Sequence, residues 1–388
     1  MFDNYLKIHK EGLSDDVIPF WINNCIDEKY GGFFLGISQD GTVIDTDKGV
    51  WQIARFTWLL STIYNEVEEK KEWIDIAKSG ADFLMNYGFD NDGKMFFHLD
   101  REGRPIRKRR YAFSEAFSAI AFAAIFKATN EKKYEVKARF CFDNYIKYSE
   151  KRGPKPPKFT KTRLGRTIGT PMIGIATAQE LRKNLNDESY SFYIANWIKE
   201  IDKYFVKHEK KMVMENVDLQ GKVINHFDGR LLNPGHAIEA AWFIMDEAIY
   251  RGNDQKLVKL GTTMLDYMWE IGWDKEYGGI FYFRDSKNLP VQEYWHDMKF
   301  WWPQNETIIA TLLAHKLTEN LKYLEWFQAV HKYTFDKFPD PEFGEWFGYL
   351  HRDGRISVTL KGNLWKGPFH IPRMHLKVWK SLKTMEKI

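Results

Sequence analysis

The chain has 388 residues, enough for one large barrel or two average domains. Apolar residues make up 44% and charged residues 28%, and a net charge of +4 is too small for a nucleic-acid partner; no zinc-finger or basic-zipper spacing alters that. The two cysteines, Cys25 and Cys141, exclude a disulfide framework, no run of 18 apolar residues occurs, and the N-terminal MFDNYLKIHKEGLSDDVIPFW lacks the apolar core of a secretory signal, so a cytoplasmic protein without a membrane span is expected.

In chain order, the first helical pattern covers Asp3–Trp21. Tyr30–Val43 (YGGFFLGISQDGTV) then alternates aromatic and polar residues into an Asp-Gly turn, the signature of a short β-hairpin. Helical patterns follow at Gly49–Glu66 and Trp73–Tyr87, then a second hairpin pattern at Asp92–Pro105 (DGKMFFHLDREGRP). Two more helices, Tyr111–Ala128 and Glu131–Ser149, lead into a Pro- and Lys-rich loop, RGPKPPKFTKTRLGR. Helices at Pro171–Leu185 and Ser191–Val206 precede a third hairpin pattern, Val213–Ile224 (VMENVDLQGKVI). The rest alternates in the same way: helices Pro234–Tyr250 and Gln255–Trp269, hairpin Tyr277–Pro290, helices Asp297–Thr318 and Lys322–Lys337, hairpin Phe343–Ile356, helix Pro372–Met385.

The hairpins begin at residues 30, 92, 213, 277 and 343, a period of about 62–66 residues with one gap about twice as long. A sixth unit is therefore expected near residue 153, where the Pro- and Lys-rich loop stands. Six units of two helices each predict an all-α fold, an (α/α)6 barrel in one domain over residues 1–388, with the hairpins at one end. An open solenoid is the alternative, but neither terminal unit reads as a polar cap. A binding site belongs at the mouth, where inner-helix starts and loops converge. Aromatic residues reach 16%, with 15 Trp, and flat indole faces serve a sugar site as well as a core.

Four stretches carry candidate chemistry. In GRLLNPGHAIE (229–239), Asn233 is an N-cap and Pro234 the first helical residue, so His236 falls in the first turn. The positive helix end disfavours an imidazolium and leaves a neutral imidazole able to take a proton. In KGPFHIPR (366–373), His370 stands just before Pro372 and is expected to project from a loop into the mouth. In YWHDMKFWWPQNE (294–306), Glu306 lies among Trp301, Trp302 and Gln304, where a carboxylate can orient a histidine or hold a sugar hydroxyl. In DKGVWQIARFTW (47–58), Trp51 and Arg55 share a helix face, and Arg55 can stabilise negative charge on a sugar oxygen. Trp51, Glu239, Trp302, Gln304 and Asn233 are the expected substrate contacts. The loop 151–166 carries seven basic residues and no acidic one, so Lys158, Lys161, Arg163 and Arg166 are candidates for a phosphate or nucleotide. No Walker, Rossmann or HExxH pattern occurs, and no metal site is expected.

Together these pieces, with YGGIFYF (277–283) and FGEWFGYLHRDGR (343–355), resemble the N-acylglucosamine 2-epimerase family nearly end to end. The resemblance implies an (α/α)6 barrel that interconverts N-acetylglucosamine and N-acetylmannosamine. It matches the family's acid/base histidines to His236 and His370, its Arg to Arg55 and its active-site Glu to Glu306. Family members on the N-acyl branch commonly have His where this chain has Gln304, which is closer to cellobiose 2-epimerases. Those relatives carry a further His on the helix after the third unit, and Pro171–Leu185 has none. Cellobiose epimerisation and mannose/glucose aldose–ketose isomerisation are thus the alternatives. ATP as an allosteric activator and a homodimer are further expectations from the resemblance. A glycoside hydrolase using Glu239, Glu306 and Asp297, or a non-catalytic binding protein, are the competing classes.

Overall fold

Helices that are apolar on every side alternate along this chain with helices that have one polar face, and that alternation decides the architecture. The computed structural model describes residues 2–108, 111–149 and 161–385. The first rod is α1 (Phe2–Glu11), one π-helical stretch (Gly12–Val17) and α2 (Ile18–Cys25). It is followed by α3 (Val50–Glu66), α4 (Lys71–Tyr87), α5 (Phe113–Thr129), α6 (Lys132–Ser149), α7 (Gly169–Leu185) and α8 (Tyr190–Tyr204). A single turn, α9 (Phe227–Arg230), precedes α10 (Pro234–Tyr250), α11 (Gln255–Gly272), α12 (Trp301–Thr318), α13 (Leu321–Lys337) and α14 (His370–Met385).

The inner ring is α3, α5, α7, α10, α12 and α14, in which consecutive helices pack on one another and each packs on an outer helix. In α5 the run from Ser114 to Ile125 is buried without a break, because one side faces the barrel axis and the other its outer partner. The outer helix of α14 is α1, so the two ends of the chain complete the sixth pair. Closure is made where Trp58 of α3 meets Phe369 before α14, with ring centroids 5.3 Å apart, and where Lys380 pairs with Glu66. An open solenoid would leave these contacts unmade. The π turn sits where Gly12 passes over His375; a Cβ there would lie 2.4 Å from the ring. No helix among the described residues is long and apolar enough to cross a membrane.

The hairpins gather at the N-terminal ends of the inner helices. Three form as expected: Gly36–Ile37 with Val43–Asp45, His98–Leu99 with Pro105–Arg107, and Tyr349–Leu350 with Ile356–Val358. Two do not. The Val213–Ile224 segment sends Met212–Val213 to Val206–Lys207 and Asn216–Val217 to Arg166–Thr167, and Arg284–Asp285 pairs with Leu231–Leu232. Two-residue strands have no stability of their own, so they pair with whichever edge the helix starts bring alongside. Most of the loop at the expected sixth unit, 150–160, lies outside the described residues.

The mouth is held by ion pairs on buried aspartates, repeated at the α3 and α12 units. Lys48 and Arg101 both bind Asp27, and Lys299 and Arg352 both bind Asp274. Each lysine also donates to a glycine carbonyl of the YGG turn, Gly31 or Gly279, fixing the loop that rims the cavity.

Candidate active site

A cavity of about 1300 Å3 opens between the hairpins and runs down the barrel axis. Trp51, Arg55, His236, Glu239, Trp302 and His370 all line it. All six stand within the first two turns of an inner helix, because those helices all point their N-termini at the mouth.

His236 is placed by its own cap. Asn233 accepts the backbone N–H of His236 at 3.1 Å, Pro234 opens the helix, and the imidazole follows in its first turn. Its Nδ1 lies 3.1 Å from a Glu215 oxygen. A carboxylate accepts, so Nδ1 carries a proton and Nε2 is the nitrogen left to exchange one with a substrate. His370 is the first residue of α14 rather than part of a preceding loop. Its Nδ1 donates to Glu306 at 2.7 Å, which assigns the same tautomer. Trp302 bridges the two histidines, its ring 5.1 Å from His236 and 5.8 Å from His370.

Beneath His370 lies a buried charge cluster. Arg373 Nη2 donates to Glu239 at 2.5 Å and to Glu306 at 2.7 Å, and it approaches His370 Nδ1 at 3.3 Å. The Trp242 indole donates to the second Glu306 oxygen at 2.7 Å. Burial opposes charge on Arg373, but Glu306 and Glu239 outweigh it and raise its pKa. For His370, burial first and Arg373 second push the pKa well below the usual histidine value, with Glu239 opposing. His370 is therefore a neutral base at neutral pH.

Glu239, Glu306 and His370 present ligand atoms within 4.8 Å of one another, a spacing open to a divalent cation. The Arg373 guanidinium already stands among all three and supplies the positive charge. The same pairing bears on glycoside hydrolysis. Both carboxylates are bound to one arginine, so they are not a free pair flanking a glycosidic bond. Asp297 lies in a separate surface depression, off this cavity.

Arg55 is buried and stacked, its guanidinium 4.0 Å from the Phe117 ring centre and 4.7 Å from that of Phe369. Its Nε makes no hydrogen bond among the described residues. Burial and then Arg373 press its pKa down to about 9, opposed by Glu239 and Glu306, so it remains cationic at neutral pH. The Trp51 indole, edge-on to Phe117, is anchored through a 2.9 Å bond to Ser114.

Two expected substrate contacts have other work. Gln304 does not line the cavity: its carbonyl accepts from Ile280 N–H at 2.7 Å and its amide donates to the Ile280 and Phe300 carbonyls. It clamps the YGG turn, with no polar atom left for a sugar. Asn233 spends its oxygen on the helix cap and is likewise not part of the lining. Of the basic loop, Lys158 lies outside the described residues, and Lys161 and Arg163 belong to one 3-10 turn. Arg166 is committed to Glu200 at 2.8 Å and to the Leu219 carbonyl. Neither Arg163 nor Arg166 lines the cavity.

Three functional neighbours went unmarked in the sequence. Glu215 lies in a segment that reads only as a hairpin. Arg373 closes the KGPFHIPR motif and Trp242 lies three residues beyond Glu239, and a signal existed: Arg373 is three residues after His370, as Glu239 is after His236, which puts each pair on one helix face.

Comparisons with known proteins point to one family. The family model described as N-acylglucosamine 2-epimerase (GlcNAc 2-epimerase) matches residues 32–371. The N-acylglucosamine 2-epimerase of Bos taurus is 34% identical over 367 residues, covering 92% of this chain and 87% of that one. The cellobiose 2-epimerase of Dictyoglomus turgidum is 28% identical over 402 residues, covering 96% and 97%. The solved cellobiose 2-epimerase of Bacillus thermoamylovorans B4167 superposes with a TM-score of 0.85 at 21% identity, covering 97% of this chain and 99% of that one, and shares the (α/α)6 barrel. A chain matched over most of its length by this family model, and sharing a third of its residues with curated members, belongs to the N-acylglucosamine 2-epimerase family and is a carbohydrate epimerase.

Proposed function

We propose that this enzyme interconverts N-acetylglucosamine and N-acetylmannosamine by moving the C2 proton of the open-chain sugar between His370 and His236. The observation that carries it is the pair of cavity histidines on either side of Trp302, each with Nδ1 held by a carboxylate. The ring opens to the aldehyde, which makes the C2 proton acidic. His370 Nε2 takes that proton from the gluco form, and the C2–H electrons move toward the C1 carbonyl to give an enolate with its negative charge on the C1 oxygen. Arg55, bonded to no carboxylate among the described residues, stabilises the oxyanion. His236, protonated, delivers a proton to the opposite face and inverts C2. Two bases on opposite faces give an epimer, whereas one base returning the proton to C1 would give a ketose.

The N-acyl reading is favoured over a cellobiose substrate by the higher identity, 34% against 28%. The cavity volume keeps the second reading in the test, because about 1300 Å3 exceeds what a monosaccharide fills. Proton NMR of the purified protein with N-acetylmannosamine, with and without ATP, beside mannose and cellobiose, decides. New N-acetylglucosamine anomeric signals are expected, and the ATP arm shows whether a nucleotide activates. Silence there, with a mannosyl product from cellobiose or fructose from mannose, moves the enzyme to a neighbouring branch. Running the reaction in D2O must place deuterium at C2 of the product; its absence there excludes the two-histidine route.

A further inference from the structure

The cavity does not stop at the catalytic layer. α7 and α10 line it over their full length, from Gly169 and His236 at the mouth to Asn186, Glu188 and Tyr250 at the other end. Such a helix spans about 25 Å. The linings of α3 and α5 end earlier, at Trp58 and Ile120. The void therefore leans toward the seam between α7 and α10 and reaches the surface there, where Tyr250 is 54% exposed. Near that end, side chains bridge the seam: Gln179 donates to the Phe243 carbonyl, and Arg182 grips Glu247 with two bonds.

Below Trp58 and Trp242 the lining turns from aromatic to polar. Its charges are matched: Lys183 pairs with Glu66 and Glu180, Lys377 pairs with Asp246, and the Trp58 indole donates to Glu180 at 2.9 Å. A polar wall with its charges already neutralised offers little to an ion and much to water.

The chemistry needs such a route. After one turnover in a given direction, one histidine holds an extra proton and the other has lost one. The imidazolium must give its proton to water, and the neutral partner must take one from water, before the next turnover. His370 is buried against Trp302 and Phe369, and a sugar held by the two histidines would stand between it and the mouth.

We infer that the rear opening between the C-terminal ends of α7 and α10 is the path by which water exchanges protons with the catalytic layer while the sugar occupies the mouth. This rests on the two-histidine reading above. Ala176, on α7 between the two layers, is partly exposed to the cavity and marks the place to block it. The native Cys25 and Cys141 are buried, and burial raises both thiol pKa values, so they stay unreactive. The A176C variant is treated with benzyl methanethiosulfonate: the thiolate attacks sulfur, sulfinate leaves, and a disulfide carries the benzyl plug. The methyl reagent gives the control. In D2O, the benzyl-plugged enzyme is expected to place severalfold less deuterium at C2 per turnover than the methyl control, with slower multiple turnover. Equal incorporation and equal turnover in the two would overturn the rear path. The labelling rate supplies a readout independent of activity. Saturating sugar should leave it unchanged, and strong protection by sugar would mean that access is through the mouth. Absence of C2 deuterium in the unmodified enzyme is a different failure, that of the two-histidine reading itself.

Discussion

His370 and His375 share α14 and both are buried, but their partners differ. His370 faces the axis, where Glu306 holds its Nδ1 and the cavity meets the rest of the ring. His375 faces outward, toward α1 and α13. There its Nδ1 meets His9 Nδ1 at 3.1 Å, and the rings of His331, Phe335 and Trp346 enclose the pair. The Nε2 atoms of His9, His331 and His375 have no hydrogen-bond partner among the described residues. Burial is the first cause of a neutral imidazole in both places. A carboxylate that sets the tautomer, and open space in front of the other nitrogen, make one of them suited to proton transfer.

The comparison breaks most directly on the catalytic side. His370→Ala and His236→Ala should each lower kcat by about 10²–10⁴-fold while the thermal midpoint stays near that of the parent. A variant that keeps near-normal turnover in the NMR assay would remove its histidine from the mechanism. Arg373→Met should cost about 3–5 kcal/mol, since Glu239 and Glu306 are left buried beside no cation. Urea denaturation measures that loss, and a stable Arg373→Met enzyme would show that the cluster protonates or hydrates instead.

The outward histidines make the opposite forecast, in stability rather than rate. Burial holds His331 and His375 down to about 3 and His9 well below its ordinary value. Folded values below the unfolded 6.5 mean that the unfolded chain binds more protons in the window between. Their contribution to stability is therefore complete above about pH 6.5 and is lost as the pH falls toward the folded values, by about 1.4 kcal/mol per histidine per pH unit. Urea midpoints between pH 7 and pH 5 should fall steeply, and His331→Phe should flatten the slope. A slope unchanged by that substitution would mean that the cluster does not govern acid sensitivity.

A smaller effect sharpens the point about Gln304. Gln304→Ala should cost about 1–3 kcal/mol through the buried backbone groups it leaves unpaired. The KM for the sugar should barely move, whereas a large rise in KM with unchanged stability would return Gln304 to the substrate. Smallest of all, Arg166→Ala breaks a half-exposed pair with Glu200 and should change stability by no more than about 1 kcal/mol.

The helices were legible because a 3.6-residue apolar period and local caps are properties of the chain itself. All twelve long segments appear, with ends shifted by a few residues, and Asn233 and Pro234 open α10 as their residue types require. The strands were half legible. Turns such as Asp40–Gly41 are local, but a two-residue strand takes its partner from the neighbouring unit, and so Arg284–Asp285 went to Leu231–Leu232. His236, His370, Glu306 and Arg55 could be singled out by residue type and motif. Gln304 could not be sorted in the same way, because its position beside Glu306 in sequence conceals that its side chain points to the opposite side of α12, into the Ile280 turn.

The sequence by itself determined the repeat, the helical class and the residues able to carry a proton, since periodicity and side-chain chemistry are written along the chain. Tertiary structure alone decided which carboxylate serves which histidine, that Arg373 holds Glu239 and Glu306 together, and that the cavity continues between α7 and α10. These depend on distances between residues far apart in sequence, such as His236 and Glu215 or His370 and Glu306, which only closure of the ring sets.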